Sequence, residues 1–236
     1  MMRRVIFNPG AKVLFIRASF CFRVFILAQP GMGRNPTRRA LPVGAAADRL
    51  TVMDAITALT TRTSPIKLAE PGPSGAALDA ILGAGLRAPD HGRLRPWKFL
   101  LVRGAARRKL GQILANSLKG REPGATPETL ARESEKALRA PLIVVVAACV
   151  RSTPKVPDVE QIVSAGAAAQ NILVAAHALG FGGFWRTGHP AYDPEVKRAL
   201  GLRPEDAIVA LLYIGSVAMA APLKPPDAAG VTVEWS

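Results

Sequence analysis

Pro141-Leu-Ile-Val-Val-Val-Ala-Ala-Cys149-Val150 is an unbroken apolar run rich in β-branched residues. Such side chains have little χ1 freedom and pack well on a pleated surface. No polar residue alternates with them, so the run predicts a strand covered on both faces, at the centre of a sheet. After it, Arg151 to Pro157 is a proline-containing loop, and Asp158 stands where it can cap a long helix that reaches Leu179 and ends at Gly180. That helix carries no Asp, Glu, Lys or Arg from Ile162 onwards. Ser164, Gln170, Asn171 and His177 among its alanines nevertheless fit a core helix better than a membrane span.

On the N-terminal side, Thr126-Pro127-Glu128 places a cap, an N1 proline and an early acid in order for a helix. Before it, Leu110, Ile113, Leu114 and Leu118 share one helical face, and Trp97 to Val102 reads as a strand. Pro71-Gly72-Pro73-Ser74 is a turn ending in an N-cap, followed by a helix with Leu78, Ile81, Leu82 and Leu86 on one side. Met53, Ile56 and Leu59 recur at helical spacing until Thr60-Thr61-Arg62-Thr63-Ser64-Pro65 breaks the pattern. Towards the C-terminus, Asp193-Pro194-Glu195 opens a short helix closed by Gly201. Ala207 to Ile214 reads as a core strand, and Val231 to Trp235 as an edge strand. Helices interleaved with apolar strands make an α/β domain.

The chain has 236 residues, 49% hydrophobic and 20% charged, enough for one domain with a full core. Its net charge of +14 invites a nucleic-acid reading, but the distribution argues otherwise. Residues 1–52 hold nine basic residues and only Asp48 as an acid, leaving 22 basic and 16 acidic residues over 53–236. The segment 1–52 is therefore read as a basic N-terminal extension, either disordered or lying upstream of a true start at Met53. Arg17 and Arg23 interrupt its apolar stretch, which lacks the uninterrupted span a membrane helix needs, while its Arg-rich, acid-poor composition leaves a targeting segment open. Cys21 and Cys149 suggest neither a disulfide framework nor a metal motif, which suits a cytoplasmic setting, and Cys149 is expected to be a small buried hydrophobe. The three scattered histidines, His91, His177 and His189, offer no metal-ligand spacing.

Two clusters carry chemistry. Gly85-Leu-Arg-Ala-Pro-Asp-His91-Gly-Arg-Leu-Arg95-Pro-Trp97-Lys-Phe99 joins a helix to a strand with arginines, an aspartate and a histidine held between prolines. It serves equally as a solvated connector or as a loop gripping an anionic or heteroaromatic ligand. Gly182-Gly183-Phe184-Trp185-Arg186-Thr187-Gly188 offers glycines for close backbone approach beside aromatic and cationic groups, or simply a bulged strand end. Arg62 with Thr63 and Ser64 adds a guanidinium and two hydroxyls, a donor set suited to a phosphate monoester.

Four segments in order resemble the nitroreductase family of flavoproteins, specifically its small single-domain NAD(P)H nitroreductase subgroup. They are Met53-Asp-Ala with Arg62-Thr63-Ser64; Arg87-Ala-Pro-Asp-His91 with Pro96-Trp97-Lys-Phe99; Ser164-Ala-Gly-Ala-Ala-Ala-Gln170-Asn171; and Gly180-Phe-Gly-Gly-Phe-Trp185-Arg186-Thr187-Gly188. The resemblance spans about 53–218. It implies an α+β fold with a central, mostly antiparallel sheet flanked by helices, residues 53–236 forming an FMN-binding domain, and an intertwined homodimer with FMN at the interface. It implies FMN contacts at Arg62, Thr63, Ser64, Trp185, Arg186 and Thr187. Arg87 and His91 would reach the flavin of the other subunit. Ala175, Ala176, His177, Ala178, Leu179 and Gly180 match a stretch that touches the nicotinamide of NADH or NADPH. The implied reaction is a ping-pong transfer from NAD(P)H to nitroaromatic or quinone-like acceptors, centred on the flavin, with no side-chain acid required; His91 would orient the flavin or the acceptor. Other flavin reactions on the same fold (enone reduction, dehalogenation, flavin-dependent oxidation) and a non-catalytic flavin- or nucleic-acid-binding role stay open. No nucleic acid, membrane or metal partner is expected. Two positions depart from the family pattern: Arg95 stands where relatives often carry Gln, and Thr63 where they often carry a second arginine.

Overall fold

The central run becomes β3 (Leu142–Ala148), with every one of its residues buried. A computed structural model describes residues 53–226 and 230–235, so the reading of 1–52 lies outside the described residues. In chain order the elements are α1 (Ala55–Thr61), β1 (Lys67–Ala69), α2 (Gly75–Gly85), β2 (Trp97–Arg103), α3 (Ala106–Arg121) and α4 (Pro127–Glu135). Then come β3, α5 (Asp158–Ala178), β4 (Gly182–Arg186), α6 (Pro194–Ala199) and β5 (Ala207–Met219).

All strand pairings are antiparallel, as the resemblance implied. β3 lies between β2 (Leu100↔Val145) and β5 (Val144↔Leu212), and β5 also pairs with β4 (Phe184↔Tyr213) and β1 (Leu68↔Val217). Alternation along β3 divides the core between its two faces. Leu142, Val144 and Val146 pack with Ile81, Ala168 and Ile172 from α2 and α5. Ile143, Val145 and Ala147 pack with Leu110 and Leu114 from α3 and Val196 from α6. The strand is therefore covered on both sides although its neighbours are antiparallel.

Two polar staples hold α5. Gln161, 1% exposed, accepts from the Arg151 backbone N–H (2.9 Å) and donates to the carbonyls of Arg151 (2.9 Å) and Val156 (3.2 Å), closing the loop before the helix. Asn171 donates to the Ala84 carbonyl at 3.1 Å and ties α5 to α2. Where those helices meet, a Cβ on Gly85 would lie 2.8 Å from Ile172 and 3.0 Å from Phe99, so only glycine allows this approach.

Several local expectations need correction. Val231 to Trp235 is not a strand; Val231, Val233 and Trp235 are exposed, and no sheet edge receives them. β1 was not foreseen, and β5 runs on to Met219 because β1 pairs with its extension. α1 forms where expected, but Ile56 and Leu59 face outward and Ala58 is the residue it buries. Ser74 and Asp158 make no side-chain cap; Pro157 precedes the first turn of α5. Cys149, just past β3, is only half-buried. Among the described residues no helix is long and apolar enough to cross a membrane, and no group of three potential metal ligands occurs.

Candidate functional site

At the end of α1 the backbone turns extended at Arg62 (φ −61°, ψ 123°), which ends the helix. The Thr61 hydroxyl has one proton and donates it to the Thr57 carbonyl at 2.6 Å. It must therefore accept from Nε2–H of His177, 3.0 Å away on α5, which assigns the imidazole tautomer. Burial, and then the Arg62 charge, hold the His177 pKa below its ordinary value, so the neutral ring is favoured. Arg62 Nη1 is buried and has no hydrogen-bond partner. A desolvated guanidinium nitrogen left unpaired is costly, and an anionic oxygen is the group that relieves the cost.

β4 brings up the second stretch. Alternation turns Gly183 towards Leu173 of α5 and Phe184 to the α3 side, where its ring stacks on Tyr213 (centroids 4.9 Å apart, 16° between planes). The Arg186 guanidinium lies 5.4 Å from the centre of the Phe184 ring, within cation–π range. Trp185 donates from its indole N–H to the Val209 carbonyl at 3.2 Å. Trp185, Arg186 and Thr187 line a cavity of about 480 Å³ that also receives Lys136, Arg139 and Tyr213. An adjoining cavity of about 390 Å³ shares Arg139, Phe184 and Arg186 and is bounded by Pro65, Ile66 and Lys67, which directly follow Arg62-Thr63-Ser64. The second sequence-predicted stretch lines these cavities; of the first, none of Arg62, Thr63 and Ser64 does, and the chain reaches the cavity wall only at Pro65.

Sequence reasoning missed Lys67, Lys136, Arg139 and Tyr213. Glu133 partly compensates the positive charge through its ion pair with Lys136. Burial raises the Tyr213 pKa, and the nearby charges of Arg139 and Arg186 oppose that shift. The available signal was the pair of cations immediately before the central strand, Lys136 and Arg139.

Arg87 and His91 lie elsewhere. Both are exposed, and His91 Nδ1 meets Glu160 Oε2 at 2.6 Å, in the first turn of α5. The 17 residues from Glu160 to His177 along one helix span roughly 26 Å at 1.5 Å per residue. Within one chain, then, the His91 loop and the Arg62 turn sit at opposite ends of α5. The His91 loop is conformationally unusual: Arg93 (φ 54°) and Arg95 (φ 46°) are left-handed, and the Arg95 backbone N–H donates to Asp90 Oδ2 at 2.8 Å. Of the stretch at the C-terminal end of α5, Ala176 is buried and His177 is engaged by Thr61; Ala175, Ala178 and Leu179 are half-buried and Gly180 is exposed.

Known proteins share this architecture. A nitroreductase-like family protein from Bacillus cereus superposes with a TM-score of 0.66 at 24% identity, covering 78% of this chain and 96% of that one. A structure from Desulfovibrio desulfuricans in complex with FMN gives a TM-score of 0.60 at 26% identity, over 77% and 96% of the two chains. Two curated relatives carry the name "Putative NAD(P)H nitroreductase". YdjA of Escherichia coli strain K12 is 40% identical over 164 residues, 70% of this chain and 88% of YdjA. A protein of Haemophilus influenzae is 38% identical over 165 residues, 70% and 89% of the two chains. Residues 60–216, which run from the end of α1 into β5 and include every residue of the two clusters, match the Nitroreductase family, and the chain belongs to it.

Proposed function

We propose that the protein is an FMN-dependent NAD(P)H oxidoreductase that reduces nitroaromatic or quinone-like acceptors in a ping-pong cycle. The observation that carries the reading is the buried, partnerless Arg62 Nη1, three residues before the segment that bounds a basic cavity. Family membership and the FMN-bound relative support it. FMN, when bound, accepts hydride from the nicotinamide donor and passes electrons to the acceptor.

The chain's own residues bind, orient and neutralise. Arg62 provides a desolvated fork for the phosphate, and the Thr63 and Ser64 hydroxyls add donors for phosphate or ribityl oxygens. Trp185, Arg186 and Thr187 supply a second wall. Arg186 and Arg139 place positive charge where a reduced, anionic ring system would be stabilised. Of the stretch from Ala175 to Gly180, every residue but Ala176 keeps some surface that a nicotinamide can touch. No side chain acts as an obligatory proton donor in this account.

Arg87 and His91 belong to the flavin site of a second copy in the same proposal. Their separation from Arg62 along α5 supports this, as does the apolar face that α5 leaves uncovered at Val159, Ile162 and Val163. His91 would orient the flavin or the acceptor from across that interface. A cytoplasmic location, with its supply of reduced nucleotide, belongs to the proposal too.

The test is direct. Purified protein should take up FMN and turn yellow, the flavin should be bleached anaerobically by NADH or NADPH, and a nitroaromatic or quinone should restore the colour. Protein that takes up no FMN would refute the reading.

A further inference from the structure

A third cavity, of about 720 Å³, lies between α3 and the segment from His189 to Ala199. Arg121 and His189 line both this cavity and the one bounded by Trp185, Arg186 and Thr187, so the two are neighbours with a common border. No step of the proposed flavin chemistry uses it. We propose that it holds the adenosine monophosphate half of the nicotinamide donor while the nicotinamide half lies over the flavin next door. The inference rests on the flavin reading and adds to it the place where the donor's non-reacting half is recognised.

The walls suit a ring carrying phosphate. Ile113, Gly120 and Ala199 give an apolar lining, and Tyr192 stands at the cavity 76% exposed, an aromatic face without a covering group. Neither the Tyr192 hydroxyl nor the His189 ring makes a side-chain hydrogen bond among the described residues, so both remain available to a ligand. An aromatic ring in that setting is suited to stack on a purine. Arg121, paired with Glu122, and Arg198, paired with Glu195, bring positive charge to a rim that also carries Asp193 and Glu195; these exposed pairs are weak, so phosphate oxygens can replace the glutamates on the two arginines at little cost.

The wall itself is built rather than incidental. Ser117, 6% exposed, donates to Asp193, whose other carboxylate oxygen accepts from the Glu195 backbone N–H at 2.8 Å. The Ser117 bond and then that backbone bond hold the Asp193 pKa below the usual carboxylate range, so the bridge between α3 and α6 persists at neutral pH. It fixes the cavity's width, and the volume falls within the range of sites that bury a ligand of nucleotide size. Tight binding of a part that does not react is also where an enzyme gains selectivity for a whole dinucleotide over a fragment.

Anaerobic single-turnover reduction of the FMN-loaded protein tests this with two donors: the full dinucleotide, and reduced nicotinamide mononucleotide, which lacks the adenosine half. Tyr192→Ala should raise the dinucleotide concentration for half-maximal reduction by roughly tenfold, the scale of a lost base–aromatic stack. Ala199→Trp, which fills the cavity from an exposed position, should do the same. With the mononucleotide both variants should match the wild type, and FMN affinity should not change. If both donors are affected alike, or neither is, the proposal is overturned while the flavin reading stands. Wild-type protein that binds no FMN overturns both.

Discussion

The two ends of α5 are built on opposite principles. At its C-terminal end, His177 reaches Thr61, the α1 turn is pinned, and Arg62 is left with a buried nitrogen that has no hydrogen-bond partner. At its N-terminal end, the His91–Glu160 pair lies in solvent, with side chains 56% and 45% exposed, on a loop that contains two left-handed arginines. In the proposed function the first is a binding element contained within one chain. The second spends conformational energy without burying anything in return, which makes sense for a surface completed by another copy. Exposed ion pairs contribute about 0–1 kcal/mol, and a non-glycine residue in the left-handed region costs roughly 1 kcal/mol.

Arg62→Ala should have the largest effect on this contrast. Loss of charge-assisted hydrogen bonds should weaken FMN binding by about 1.5–3 kcal/mol per bond, read by titration of flavin fluorescence. An unchanged dissociation constant would remove Arg62 from the phosphate site. Thr61→Val should come next. It leaves the His177 N–H without its acceptor and frees the α1 turn, for a loss of about 1 kcal/mol in chemical denaturation, with weaker FMN binding alongside.

The pH dependence follows from the direction of the His177 shift. Its pKa is held below the ordinary 6.5 in the folded protein, so the unfolded chain takes up the proton first. Stability should be full above about that value and should fall with pH down to the lowered one. The His177→Gln variant should lose this component of the pH profile; a variant with the same profile would refute the neutral, Thr61-bound imidazole.

At the other end of the helix the effects should be small in an isolated chain. Arg95→Asn should raise stability by a few tenths to about 1 kcal/mol, because asparagine tolerates the left-handed region better. Glu160→Gln should lower it by less than about 1 kcal/mol. A large loss from Glu160→Gln without loss of dimer would show that the His91 loop is held within its own chain after all.

Residue type made some of this architecture legible and hid the rest. β3 could be read because every residue in it is apolar and the period is absent, the mark of a strand covered on both faces. The antiparallel pairing could not be read from that run, since the same pattern serves a parallel sheet; the family resemblance supplied it. α1 had correct helical spacing but the wrong buried side, because Ile56 and Leu59 match the spacing as well as Ala58 does and only packing separates them. β1 has too few residues for alternation to be recognised. Arg62, Arg87, His91 and Arg186 were visible as chemistry. Lys136 and Arg139 were not, because the path from α4 into β3, with no local motif, carries them to the cavity wall.

The central claim is that one flavin site draws on both ends of α5, from two different chains. Mixed dimers bearing Arg62→Ala in one chain and Arg87→Ala with His91→Ala in the other, isolated through two affinity tags, test it most directly. If the site is shared, one of the two sites in such a dimer carries all the substitutions and the other carries none. The account predicts one FMN per dimer bound with wild-type affinity, although neither parent homodimer binds FMN as tightly. Two weakened sites, each matching its parent homodimer, with no wild-type site recovered, would contradict it.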